Sequence, residues 1–413
     1  MTWTIKILFM AIVISTSFSC EVKNAESLLG SPDYLAMSYG GYRYIDHDIE
    51  PTLDELKEDL KLLSAMDIKF LRTYKVHRPQ ASNLLKAISE LKNDDPSFEM
   101  FVMLGAWISC KNPFTDKPDH TVESEDNEEE IATAVELANK YSDIVKVLAV
   151  GNEAMVKWAA SYYVEPGVIL KWVNHLQEMK KSGKLSKDLW ITSSDNFASW
   201  GGGSDEYHVE DLENLIKAVD YISVHTYPMH DTHYNPDFWG VEEDETELSD
   251  IEKIDAAMLR AKEYSMAQYN EVYKYMKSRG VDKPIHIGET GWASFSNGHY
   301  GNDGSKATDE LKQAIYYEHM REWTNKEGIA CFYFEAFDEK WKDAKNQGGS
   351  ENHFGLFKVN GEAKYVLWDL VDAGVFEGLS RGGNTITKTY GGSKEYLMSE
   401  VELPQVKEME TQD

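Results

Sequence analysis

Basic residues are scarce in this chain of 413 residues: Lys and Arg number 42 against 71 Asp and Glu, leaving a formal net charge of −29. Such a surface repels phosphate backbones and anionic lipid headgroups, which excludes nucleic acid as a partner, whereas a neutral polymer meets no such penalty. Cysteine is scarcer still, with only Cys20, Cys110 and Cys331. Three are too few for a disulfide framework, although one Cys110–Cys331 bridge is not excluded by sequence. Clusters with metal-ligand spacing are missing too; the nearest run, His230, Asp231 and His233, reads as a loop, and no cofactor is expected. The one long apolar run is N-terminal, Ile7 to Ser15 after Lys6, too short for a spanning helix and shaped like an export signal. Its end, Ser17-Phe-Ser-Cys20, resembles a bacterial lipobox with Ser17 where Leu is usual. Either Cys20 is lipidated and anchors the chain to a membrane, or the segment is an ordinary cleaved signal. The expected location is beyond the inner membrane, as an outer-membrane lipoprotein, periplasmic or on the cell surface.

What is present is apolar and aromatic residue in quantity, 42% and 12%, enough for one large core. Between residues 31 and 375 short β-branched runs alternate with longer amphipathic stretches, the pattern of βα units. Eight strand candidates recur: 34–39, 68–74, 99–107, 145–151, 190–195, 221–227, 284–289 and 329–334. Leu53, Leu56, Leu60 and Leu63 mark one intervening helix. Eight units in about 340 residues predict an α/β fold, a (β/α)8 TIM barrel forming one catalytic domain. Around it the sequence predicts a signal peptide over 1–19, a tether over 20–30 and an acidic, peripheral tail over 376–413. In the acidic run Glu123–Glu130, Asn127 and Glu130 have the spacing of a capping box ahead of a helix over 131–141.

Two glutamates close strand candidates: Glu153 in Val150-Gly-Asn-Glu-Ala154 after the fourth, and Glu289 in Ile287-Gly-Glu-Thr-Gly-Trp292 after the seventh. In a parallel barrel strand C-termini share one mouth, so residues three βα units apart face each other across it. Paired carboxyls, one holding a proton for the leaving oxygen and one ionised to attack the anomeric carbon, are what retaining glycoside hydrolysis requires. Asn152 can hydrogen-bond a sugar hydroxyl, Tyr227 in His225-Thr-Tyr-Pro228 can donate to Glu289, and Arg72 can add positive charge. Tyr39, Tyr74, Trp107, Trp292, Phe337 and Trp341 fall at strand ends, where aromatic faces can bind sugar rings. Trp200, in Ser199-Trp-Gly-Gly-Gly-Ser204, suits a mobile lip. His286, inside a strand, reads as a core residue.

The run Phe334-Glu-Ala-Phe-Asp-Glu-Lys-Trp-Lys342, followed by Glu351-Asn-His-Phe-Gly-Leu-Phe357, resembles the strand-8 signature of glycoside hydrolase family 17, the β-1,3-glucanases. The resemblance covers residues 34–370 and implies Glu153 as acid/base, Glu289 as nucleophile, Glu339 and Lys342 as supporting charges, and a laminarin-like β-glucan as substrate. Ala293 stands where plant members have Pro and Asp338 where they have Asn, which aligns the chain with bacterial and fungal members. A β-1,3-glucanosyltransferase, a silent glucan-binding lipoprotein and another barrel-clan enzyme such as a β-1,4-mannanase or xylanase remain open at this stage.

Overall fold

Runs such as Val145-Lys-Val-Leu-Ala-Val150 are apolar on both faces, so they need cover on both sides, and a barrel wrapped by helices supplies it. The computed structural model describes residues 23–407. Its eight parallel strands are β1 (Leu35–Ser38), β2 (Ile68–Arg72), β3 (Phe101–Ala106), β4 (Val145–Asn152), β5 (Trp190–Asn196), β6 (Ile222–His225), β7 (Ile285–Gly291) and β8 (Cys331–Phe334). Each pairs with its sequence neighbours, and Met37 opposite Tyr333 closes β8 onto β1. The (β/α)8 expectation holds, with strand ends displaced by a residue or two.

Two core layers hold the barrel. Phe70, Phe101, Met103, Val147, Tyr221 and Phe332 fill its lower end, and a larger layer lies between strands and helices. The helix Leu53–Ala65 shows how the outer layer arises. Thr52 and Glu55 form a capping box, and Leu56, Leu60 and Leu63 are buried. Burying each such leucine stabilises the fold by about 1.5–3 kcal/mol.

Three expectations about the periphery need correction. The stretch 23–30 is no tether: Ala25, Leu28 and Leu29 pack into the lower barrel core with Phe70 and Phe332. The segment 376–407 is not peripheral either. Arg381 is buried against Asp59 (Nε to Oδ1 2.9 Å), Leu397 is buried, and Val241 donates its N–H to Gln405 O at 2.8 Å. Asn127 and Glu130 do not cap their helix, which runs Asp126–Lys140. Glu130 turns inward and accepts the N–H groups of Val76 (2.7 Å), His77 (3.0 Å) and Trp107 (2.9 Å), tying the loops after β2 and β3 together. Asn127 exchanges two hydrogen bonds with the Ser109 backbone. Spacing alone cannot tell a cap from a side chain that bonds the backbone of neighbouring loops.

Cys110 and Cys331 are buried and unbridged. The export signal and Cys20 lie outside the described residues.

Candidate active site

β4 leaves the barrel through Gly151 at φ +81°, and Glu153 follows at φ +45°. A non-glycine residue in this left-handed region costs about 1–3 kcal/mol and is kept where the surroundings dictate it. Here Glu153 N–H is held by Ser194 O at 3.0 Å. Its carboxyl Oε1 lies 3.1 Å from Nδ1 of His225, a fully buried ring whose Nε2 is 2.8 Å from Ser194 Oγ. With Nδ1 protonated, the ring donates to Glu153 and accepts the Ser194 hydroxyl, so β5 and β6 fix the orientation of a carboxyl on β4.

Glu289 reaches the same mouth from β7. The preceding Gly288 is obligatory, because a Cβ there would lie 2.1 Å from Ser223 Oγ. Arg72, at the end of β2, pairs with Glu289 Oε2 through Nη1, which also donates to Gly288 O at 2.9 Å, and bonds Asn152 Oδ1 through Nη2. Tyr227 donates its hydroxyl to Glu289 Oε1 at 2.6 Å. Burial alone pushes this carboxyl up. The Arg72 charge, His225 and the Tyr227 hydrogen bond outweigh it and hold Glu289 below the ordinary glutamate value. The result is an ionised carboxylate with both oxygens engaged.

The loop after β8 forms one wall. Glu339 accepts Tyr42 N–H at 2.9 Å and Trp341 Nε1–H at 3.0 Å, and Gly40 leaves room for it, since a Cβ there would lie 2.3 Å from Glu339 Oε1. Lys342 Nζ sits 2.7 Å from Glu335 Oε2, 3.6 Å from Glu339 Oε2 and 3.9 Å from the Phe334 ring centroid. Trp341 stacks on His47 at 3.6 Å. On the other side His230 Nε2 approaches Glu351 at 3.4 Å, and its ring stacks against Tyr227 at 5.2 Å.

These walls enclose a groove of two lobes that share Glu289, Phe334 and Glu351. The first, of about 550 Å3, takes in Tyr39, Tyr74, Trp107, Phe114, Asn152 and Trp341, together with Glu339 and Lys342. The second, of about 770 Å3, takes in Glu153, Trp158, Tyr227, His230, Tyr234 and Tyr300.

Of the residues singled out from sequence, three belong elsewhere. Trp292 is buried, donates Nε1–H to Ala307 O at 2.7 Å and packs on Trp239 and Tyr316. Phe337 is sandwiched between the Phe357 ring, 5.1 Å away, and the Arg381 guanidinium, 4.0 Å away. Trp200 is no lip: it is buried with Nε1–H on Ser223 O at 3.0 Å. A strand-end position specifies height in the barrel but not whether a ring points across the mouth or into the helical layer. His286 is the core residue expected, accepting Ala330 N–H at 3.0 Å.

Sequence reasoning passed over His225, Glu335 and Glu351, though all three lie within or beside the motifs that carried Tyr227 and Lys342. It also passed over Phe114, Trp158 and Tyr234. These rings are 65%, 61% and 63% exposed. Their loops carry no periodic signal.

Residues 36–355 match the BtgE/BtgC glycoside hydrolase domain. The crystal structure of an endo-laminarinase from Formosa Hel1_33_131 is 68% identical, with a TM-score of 0.93 over 95% of this chain and 100% of that one. The putative glucan endo-1,3-beta-glucosidase btgC of Aspergillus niger is 24% identical over 73% of this chain, and this chain spans only 37% of that protein's length. An active-site mutant of the Rhizomucor miehei beta-1,3-glucanosyltransferase, in complex with laminaritriose, shares the fold at 21% identity and a TM-score of 0.54, over 79% of this chain and 94% of that one. With its model spanning the barrel from β1 to the loop after β8, the chain belongs to the BtgE/BtgC glycoside hydrolase domain family, in keeping with its resemblance to glycoside hydrolase family 17.

Proposed function

We propose that this protein hydrolyses internal linkages of a laminarin-like β-1,3-glucan with retention of configuration. The observation that carries the reading is the asymmetry of two carboxyls at one groove. Glu289 is held ionised by Arg72 and Tyr227, as a nucleophile must be, while Glu153 has one oxygen on the His225 ring and faces the second lobe. Glu289 attacks the anomeric carbon as Glu153 gives its proton to the departing oxygen, and a covalent glycosyl-enzyme forms. Glu153, now ionised, takes a proton from water, which attacks the same carbon and releases Glu289. Two configurational inversions give net retention. A groove extending on both sides of Glu289 admits an internal bond of a chain, and the name of the 68% identical endo-laminarinase supports that mode and substrate. Following laminarin digestion by NMR tests the reading: the β-anomer is expected first, initial release of the α-anomer would overturn the mechanism, and products longer than the starting oligosaccharide would assign transfer instead.

Tyr227→Phe isolates one part of the electrostatics. Removing a hydrogen bond to the ionised carboxylate destabilises that form, so the Glu289 pKa rises and the acid limb of kcat/KM moves to higher pH, by about one unit. An acid limb that stays in place would show that Tyr227 does not set this ionisation.

The chain is further proposed to be exported and lipidated at Cys20, on the strength of its N-terminal sequence. The neighbouring residues Lys23–Leu29 lie at the lower end of the barrel, opposite the groove, so an anchor there directs the groove away from the membrane. Cys20→Ala is expected to move the protein from the membrane fraction to the soluble one, and an unchanged distribution would refute the anchor.

A further inference from the structure

Phe114, like Trp158 and Tyr234, is an exposed ring of the groove that the mechanism leaves without a role. Its backbone stands at φ +58°, a conformation unfavourable for a bulky side chain, yet its ring is among the most exposed apolar groups of the described residues. It lies in the turn of a hairpin, where a small polar residue would serve the backbone better than a large apolar ring. The residue is nevertheless built into place. It sits on the hairpin formed by Cys110–Lys111 and Asp119–Glu123, its N–H donates to Ser161 O at 2.8 Å, and Cys110 N–H donates to Tyr162 O at 3.0 Å. These bonds fasten the hairpin to the loop after β4. The Phe114 ring lies 6.4 Å from the Trp107 ring at 26° and 5.4 Å from the Tyr162 ring at 34°, so Trp107 and Phe114 present an aromatic wall to the first lobe and Tyr162 braces it.

The chemistry of the pair fixes which part of a glucan lies there. A general acid must face the leaving-group side of the cleaved bond, and Glu153 lines the second lobe only, whereas Glu289 lines both. The first lobe therefore receives sugar units on the non-reducing side. We infer that Phe114 is a sugar-binding platform for a glucose unit on that side, beyond the unit attacked by Glu289, and that it sets which internal bond of a chain is cleaved. The apolar face of a pyranose fits a flat exposed ring, and a ring held against two others loses little freedom on binding.

The inference rests on the hydrolase reading above, and two readouts separate their failures. Laminarihexaose carrying oxygen-18 at its reducing end reports which bond is cut. Phe114→Ala is expected to shift cleavage towards the non-reducing end, because fewer units are held in the first lobe, and to lower kcat/KM for the hexaose about tenfold more than for laminaritriose. Phe114→Tyr should keep the wild-type pattern and Phe114→Leu should resemble Ala, which separates a flat platform from mere apolar bulk. An unchanged cleavage pattern, a shift towards the reducing end, or equal losses on both oligosaccharides would overturn the platform. Calorimetric titration of laminarihexaose into Glu289→Gln protein gives the second readout. Phe114→Ala in that background should raise Kd about tenfold. An unchanged Kd overturns the platform, while wild-type protein that binds but cuts nothing overturns the hydrolase reading alone.

Discussion

Glu289→Ala is expected to lower kcat on laminarin by roughly four orders of magnitude or more, the largest loss of any single substitution in the groove. The alanine removes the attacking oxygen and also leaves Arg72, a buried cation, without its carboxylate. The space so opened lies beneath the anomeric carbon. Azide added with an activated aryl β-glucoside should therefore restore turnover and give the α-glycosyl azide, since the anion replaces the nucleophile in a single inversion. Glu153→Ala should behave differently. With a good leaving group the first step needs no acid, so the glycosyl-enzyme still forms, and azide then intercepts it to give the β-glycosyl azide. Finding the same azide anomer from both variants would show that the two carboxyls do not hold the assigned roles. The loss for Glu153→Ala should be smaller on aryl substrates than on laminarin, because general acid help, about 100- to 10,000-fold, is needed in proportion to the basicity of the leaving oxygen.

The barrel and the facing pair of glutamates were legible in sequence for one physical reason: strands buried on both faces must read as apolar runs, and an acid ending such a run is costly to place. Counting runs then placed Glu153 just after β4 and Glu289 at the end of β7. Directional information was absent. Trp292 and Trp107 occupy similar strand-end positions, yet Trp292 finds the Ala307 carbonyl in the loop before the helix Glu310–Glu327 while Trp107 faces the groove. What decides between them is the neighbouring loop, and loops such as 110–123 have no period to read. His225 was hidden for a related reason. Its role exists only once Ser194 on β5 and Glu153 on β4 stand beside it. The segment after residue 375 was misjudged because it packs through isolated residues, Arg381, Ile386 and Leu397, rather than through a repeating face.

Asp59→Ala is expected to destabilise the fold by about 3–5 kcal/mol, measured as a lowered urea midpoint at constant m. Asp59 is fully buried and accepts Arg381 through Nε (2.9 Å) and Nη2 (3.2 Å), Arg43 Nη2 (2.9 Å) and the Tyr39 hydroxyl (3.1 Å). Losing the carboxylate affects the two arginines unequally. Arg43 keeps Glu58 at 2.9 Å, but Arg381 is left with the Val359 carbonyl as its hydrogen-bond partner and the Phe337 ring beneath it. The stranded charge, more than the missing bonds, makes the cost large, so Asp59→Ala combined with Arg381→Met should be more stable than Asp59→Ala alone. A double variant as unstable as the single one, or a single variant within 1 kcal/mol of wild type, would show that the pair contributes little. Activity should follow the same contacts. Tyr39 lines the first lobe and Phe337 braces the loop that carries Glu339 and Lys342, so Asp59→Ala should raise KM for laminarin at temperatures well below its unfolding. Truncation after Asp372 removes Arg381 and tests the segment directly: it should lower the urea midpoint and raise KM together.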